Sequence, residues 1–252
     1  VPCPEYGLLP GGHLEDNGDW GHWFSVNAYA SLGLSAMAKA LAETGDADAP
    51  RYQKEAELYR ADLRRAVDRA AAASPVVRLR DNTYVPYVPT RVHQRIRLFG
   101  PLRVAFYSRY PEKVLPTYRL SATRELLYGP LILVDTGIYD AAEPLARWVI
   151  DDWEDNTTMS EPLGLNPHGL VDEDLWFSRG GMVFQANLQN PIRAYLRRGE
   201  ARAAIRNLYN NFVSCYYPAV NVFTEEYRQW RSPSGPFYKI PDEAKFVHRL
   251  RD

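Results

Sequence analysis

The chain has 252 residues with 30 basic and 31 acidic side chains, a formal net charge of −1, and 46% hydrophobic residues. So balanced a charge offers no field to gather nucleic acid or acidic lipid, which argues against both as partners, and no run reaches the roughly 20 apolar residues of a membrane span. The length suits a single domain over 1–252 with a sizeable core. Two cysteines, Cys3 and Cys215, are too few for a disulfide framework or a Cys-rich metal site, and they either pair or stay free. The N-terminus lacks the basic-then-apolar order of a signal peptide, and localisation stays open.

In chain order, the first feature is the segment GHLEDNGDWGHW at 12–23, which sets Glu15, Asp16 and Asp19 among Trp20, Trp23, His13 and His22. Carboxyls beside indole rings suit sugar chemistry, since rings stack on pyranose faces and carboxyls move protons. The same composition also suits a turn and helix cap. A helix follows from Trp23 to Leu41 with Lys39 its sole charge, and it is expected to be buried all round. After the turn TGDADAP, a second helix over 51–72 spaces Tyr52, Ala56, Tyr59, Leu63 and Val67 along one face and charges along the others. It is expected to be half-exposed.

The pairing recurs. Residues 121–134 are largely apolar and 140–154 acidic on one side; residues 176–196 carry few charges and 200–217 place Ala204, Leu208 and Phe212 on a stripe. Each pair joins a buried helix to a more exposed one through a short glycine-containing turn. The expected fold class is therefore all-α: helical hairpins in inner and outer layers, with 23–42 inner and 51–72 outer. Long connections at 74–120, 155–175 and 218–240 precede the inner helices, so they should gather at one end with residues 7–22. Loops this long are functional or disordered, and their Tyr, Trp, Pro and His content argues against disorder. The alternating VVRLRDNTYVPYVP within 74–120 predicts a short hairpin.

Four stretches resemble the six-hairpin glycosidases, the (α/α)6 toroid superfamily that includes trehalase and processing α-glucosidase: GLLP at 7–10, DNGDWGHWFSVNAY at 16–29, SEPLGLNPHGLVDEDLWFSRGG at 160–181, and FTEEYRQW at 223–230 followed by GPFYKIPDEAKF. They occur in the expected order along nearly the whole chain. Three hairpins and the start of a fourth at 241–252 correspond to the C-terminal part of a toroid. The resemblance thus implies an upstream segment or another chain that completes the ring.

It also implies inverting hydrolysis of a glycosidic bond in an oligo- or polysaccharide substrate without a cofactor, one carboxyl protonating the leaving oxygen and another activating water. Asp19 matches the acid, with Asp16 second, because Trp20 can exclude water and raise a carboxyl pKa; either residue could instead cap the helix. Glu226 or Glu225 matches the base, on a separate long loop, the alternative being ordinary solvated charges. Glu161 and His168 are assigned to hydroxyl binding, with turn formation the alternative. Trp20, Trp23, Tyr227 and Trp230 are candidate stacking walls. Gln185 belongs to four amides on an apolar helix that bond either each other or substrate. No metal-ligand spacing is present in the sequence, and no metal site is expected. Two other classes compete: a toroid polysaccharide lyase using the Tyr-rich loops, and a non-catalytic glycan-binding or assembly fragment.

Overall fold

A computed structural model describes residues 3–13, 20–79, 81–93, 129–155, 191–217, 220–223, 226–228, 232–234 and 240–252. Among these the chain is mostly helical. In order come β1 (Gly12–His13), β2 (Trp20–Gly21), α1 (Phe24–Glu43), α2 (Ala49–Ala72), β3 (Val76–Arg78), β4 (Tyr84–Pro86), α3 (Leu131–Asp135) and α4 (Pro144–Asp155). Then follow α5 (Ile192–Arg197), α6 (Ala201–Cys215), β5 (Tyr216–Tyr217), β6 (Val222–Phe223), β7 (Glu226–Arg228), β8 (Ser232–Ser234) and α7 (Ile240–Arg251). Strands pair antiparallel as β1–β2, β3–β4, β5–β6 and β7–β8.

Of the expected first helices 121–134 and 176–196, residues 121–128 and 176–190 lie outside the described residues. Among the described residues three helix pairs are in contact, α1–α2, α3–α4 and α5–α6. Their first helices also touch in succession, α1 against α3 and α3 against α5. One turn chemistry serves all three. Gly45, Gly137 and Gly199 follow the first helix with φ of 72°, 75° and 75°, a left-handed region that side chains disfavour. The next or next-but-one amide then reaches back: Asp46 N donates to Leu41 O at 2.9 Å, Tyr139 N to Leu133 O at 3.1 Å and Glu200 N to Tyr195 O at 2.8 Å. These bonds satisfy carbonyls that a helix end leaves open.

The core runs through all three hairpins: Phe24 and Ala28 from α1, Leu63 and Val67 from α2, Leu131–Val134 from α3, Val149, Ile150 and Trp153 from α4, and Tyr195 from α5. A smaller cluster of Val77, Leu79, Val85 and Tyr87 lies under the β3–β4 hairpin, and half-buried Trp148 packs against both. This hairpin falls within the stretch where alternation predicted one.

The burial of α1 departs from expectation. Six of its 20 residues are buried, against six of 24 in α2, so the contrast expected between them is absent. Phe24, Asn27, Ala28 and Ser31 face α2 and the core, whereas Val26, Tyr29, Leu32 and Met37 are exposed. Lack of charge reports what a helix tolerates, and a neighbour is needed on every side before it is buried all round. In the second pair Leu131, Ile132, Leu133 and Val134 of α3 are buried, and α4 buries Leu145, Ala146, Val149, Ile150 and Trp153 on one face while exposing Arg147 on the other. On α6 Ala204 is buried and Leu208 partly so, but Phe212 is exposed and the polar Arg206 and Asn207 are buried.

Residues 3–9 strap across α2. Arg65 donates to Tyr6 O at 2.7 Å, lies over the Tyr6 ring at 5.5 Å and pairs with Asp62. Gly7 has φ of 79°, and a Cβ placed there would meet Asp62 Oδ2 at 2.1 Å. Gly7→Ala is expected to cost about 1–3 kcal/mol from strained backbone and displacement of Asp62, read as a lower urea midpoint; an unchanged midpoint would mean that the strap is not fixed by this contact.

A second tie crosses from α2 to the α3–α4 turn. Arg64 Nη1 donates to Glu143 Oε1 at 2.9 Å and to Ile138 O at 2.7 Å, and Nη2 pairs with the other Glu143 oxygen. The hydrogen bond from Arg64 is the main cause that draws the Glu143 carboxyl from its ordinary 4.5 down to about 2, against an opposing effect of burial. A carboxylate with a depressed folded pKa contributes stability above its unfolded pKa and loses it as pH falls through the folded one. The stability advantage of the native chain over Glu143→Gln should therefore be full above about pH 5 and vanish between 4.5 and 2. Urea titrations across that window measure it, and a pH-independent gap would show the pair uncoupled from folding.

Candidate functional site

The β1–β2 hairpin presents the first candidate cluster. Register pairs Gly12 with Gly21 and His13 with Trp20, and Asp19 directly precedes β2 in sequence. Asp16 and Asp19 lie outside the described residues. Trp20 is 66% exposed, and its ring meets His13 edge-on, centroids 5.2 Å apart and planes at 88°. Gly11 passes under the indole so closely that a Cβ there would lie 2.7 Å from Trp20 Nε1.

Trp23 plays a different part from Trp20. It is 4% exposed, its indole N–H donates to Gly12 O at 3.1 Å, and Arg91 covers its ring at 4.7 Å. It anchors the hairpin from below. Residues 90–92 run alongside, with Phe24 N donating to Thr90 O at 2.9 Å and Val92 N to His22 O at 3.2 Å. Buried Asn27 ties α1, α2 and the strap together. Its Oδ1 accepts from Leu9 N at 2.9 Å and Tyr59 OH at 2.7 Å, and its Nδ2 donates to Trp23 O at 2.7 Å. His22 Nδ1 lies 3.0 Å from Leu9 O, which engages this histidine with backbone. The hairpin base is thus rigidly held, as a site requires.

The second candidate cluster lies on β7–β8. Backbone pairing sets Glu226 opposite Ser234 and Tyr227 opposite Pro233, and both strands contact α6. Below α6 the rings of Phe212, Tyr216, Phe223 and Phe246 stack, with Phe212 to Tyr216 at 4.6 Å and Phe223 to Phe246 at 4.3 Å. Glu225, Trp230, Glu161, His168 and Gln185 lie outside the described residues. Cys3 is an exposed free cysteine. No helix among the described residues is long and apolar enough to cross a membrane.

Sequence reasoning passed over one polar centre. Asp135 ends the apolar run of α3, and its carboxylate is almost wholly buried beside Lys245 of α7 at 3.8 Å. Its Oδ1 has no hydrogen-bond partner among the described residues. Burial pushes this carboxyl above the ordinary range, opposed by the charges of Lys245, Arg193, His248 and Arg249. Arg193 of α5 donates to Asp252 at 2.7 Å and lies 3.1 Å from His248 Nε2. Lys245 also sits 5.7 Å from the Tyr29 ring centre. These contacts dock α7 across α3, α5 and α1. The signal was present in the acid that closes LILVD, but a DTG turn accounts for an Asp equally well.

Comparison of the chain with protein-family models, with curated proteins and with solved structures finds no match.

Proposed function

We propose that the chain is the catalytic portion of an inverting glycoside hydrolase built on an α/α toroid, with Asp19 as general acid and Glu226, or its neighbour Glu225, as the base. One observation carries the reading: Trp20 stands exposed on a firmly anchored hairpin, next in sequence to Asp19 and paired in register with His13. An accessible indole beside a carboxyl can stack on a sugar ring and hold that carboxyl in a drier environment, which favours its protonated form. Three helical hairpins whose first helices touch in order support the toroid. In that architecture the exposed apolar residues of α1 lie where a further inner helix would pack. Glu161, His168, Gln185, Tyr227 and Trp230 are assigned to substrate contacts, whereas the burial of Trp23 moves it from stacking wall to support.

Incubation with neutral oligosaccharides, followed by proton NMR of the first products, tests the reading. The expected result is hydrolysis with inverted anomeric configuration and tryptophan quenching that depends on Trp20. An unsaturated, ultraviolet-absorbing product would select the lyase instead. Absence of both turnover and Trp20-dependent oligosaccharide binding would overturn the proposal.

A further inference from the structure

On the side of the molecule formed by α2, the α3–α4 turn and β4 lies a cleft of ≈ 380 Å³, within the size range of small-molecule sites. Its walls are apolar: Ala71 and Ala72 at the end of α2, Pro86 of β4, and Pro144, Leu145 and Trp148 of α4. Its polar groups are Arg64, Asp68, Glu143 and Tyr139. Most of their bonding capacity is already committed. Both Glu143 oxygens accept from Arg64, and the guanidinium lies over the Tyr139 ring, 4.2 Å from its centre. Tyr139 OH donates to Asp68 Oδ1 at 2.7 Å and lies 3.2 Å from Arg64 O.

Among the described residues, the second oxygen of Asp68, an exposed residue near the end of α2, accepts no hydrogen bond. Glu143 is matched by Arg64 and by nearby Arg60, whereas Asp68 carries its charge without a guanidinium hydrogen-bonded to it among the described residues. A lone acceptor carrying that charge, above a floor of aliphatic carbon and one indole, selects a ligand with a single cationic donor and an apolar body. A sugar would bury several hydroxyls against carbon without partners, and an anion would meet the Asp68 carboxylate. We propose that this cleft binds an organic ammonium ion, its nitrogen on Asp68 and its hydrocarbon against Trp148, Leu145 and Pro86. Both a free alkylamine and a lysine side chain of a partner protein have this chemistry.

The test is calorimetric titration of the intact chain with hexylammonium, 1-hexanol and hexanoate, alongside the indole N–H resonance of Trp148. Hexylammonium should bind about tenfold or more tighter than hexanol and shift that resonance, while hexanoate should not bind. Asp68→Asn keeps an acceptor for Tyr139 and should erase most of the preference for the cation. Ala72→Leu fills the cleft from an exposed helix end and should abolish binding of both ligands, with circular dichroism confirming a native fold. Nα-acetyl-lysine methylamide binding as tightly as hexylammonium identifies a partner's lysine as the source; weaker binding identifies a free amine. Equal affinity for hexanol and hexylammonium, or cation binding unchanged in both variants, would overturn the proposal.

Discussion

Glu154→Ala should destabilise the fold by about 3 kcal/mol, the low end of the range for removing one partner of a buried charge pair, because Arg206 is buried but Glu154 only part-buried. Glu154 Oε1 accepts from both Tyr195 OH and Arg206 Nη2, which joins α4, α5 and α6 at one carboxylate. Tyr195 is fully buried, and the Arg206 side chain is 6% exposed. Burial, aided by Glu154, holds the Tyr195 hydroxyl far above its ordinary pKa, so the phenol stays a donor. Truncation removes the acceptor of both groups at once and leaves the guanidinium inside without this carboxylate. For a chain of this length such a loss lowers the melting temperature by roughly 10 °C. Glu154→Gln keeps an acceptor oxygen and should recover part of the loss. A melting point for Glu154→Ala within a degree or two of native would show that the carboxylate is not what holds α6 in place.

The helices were legible where the sequence states its own periodicity. In α2 the expected stripe supplies Ala56, Leu63 and Val67 to the buried face, because i, i+3 and i+4 spacing places those residues together whatever surrounds them. The three hairpin turns were legible as well, since Gly45, Gly137 and Gly199 mark a backbone conformation that few residues adopt. Burial on α1 was not. Val26, Tyr29, Leu32 and Met37 are apolar, yet whether they meet protein or solvent depends on neighbours that no local pattern encodes. The network on α6 was hidden for the opposite reason, because Arg206 and Asn207 read as surface residues until Glu154 arrives from a helix 52 residues earlier. Trp20 and Trp23 show the same limit at the candidate site. Two indoles three residues apart looked equivalent, but pairing across β1–β2 turns one outward and the cover of Arg91 encloses the other.

Asp19→Asn and Glu226→Gln should separate acid from base by their dependence on the leaving group. Protonation of the departing oxygen contributes typically 10²–10⁴-fold when the leaving group is a poor one, such as a sugar alcohol. An activated aryl group departs with little help. Removing the acid should therefore slow oligosaccharide cleavage by about 10²–10⁴-fold and aryl glycoside cleavage far less, whereas removing the base, which activates water in either case, should slow both. Trp20→Ala distinguishes binding from chemistry: loss of a stacking surface should raise KM on oligosaccharides more than it lowers kcat. Glu226 belongs to β7 and Asp19 precedes β2 in sequence, outside the described residues; an inverting pair must stand roughly 6.5–9.5 Å apart to admit a water between acid and base. The kinetic signature is therefore sharper than any single rate. Near-native rates for both variants on both substrates would return Asp19 to turn formation and Glu226 to an ordinary strand position, and with them the catalytic assignment would fall.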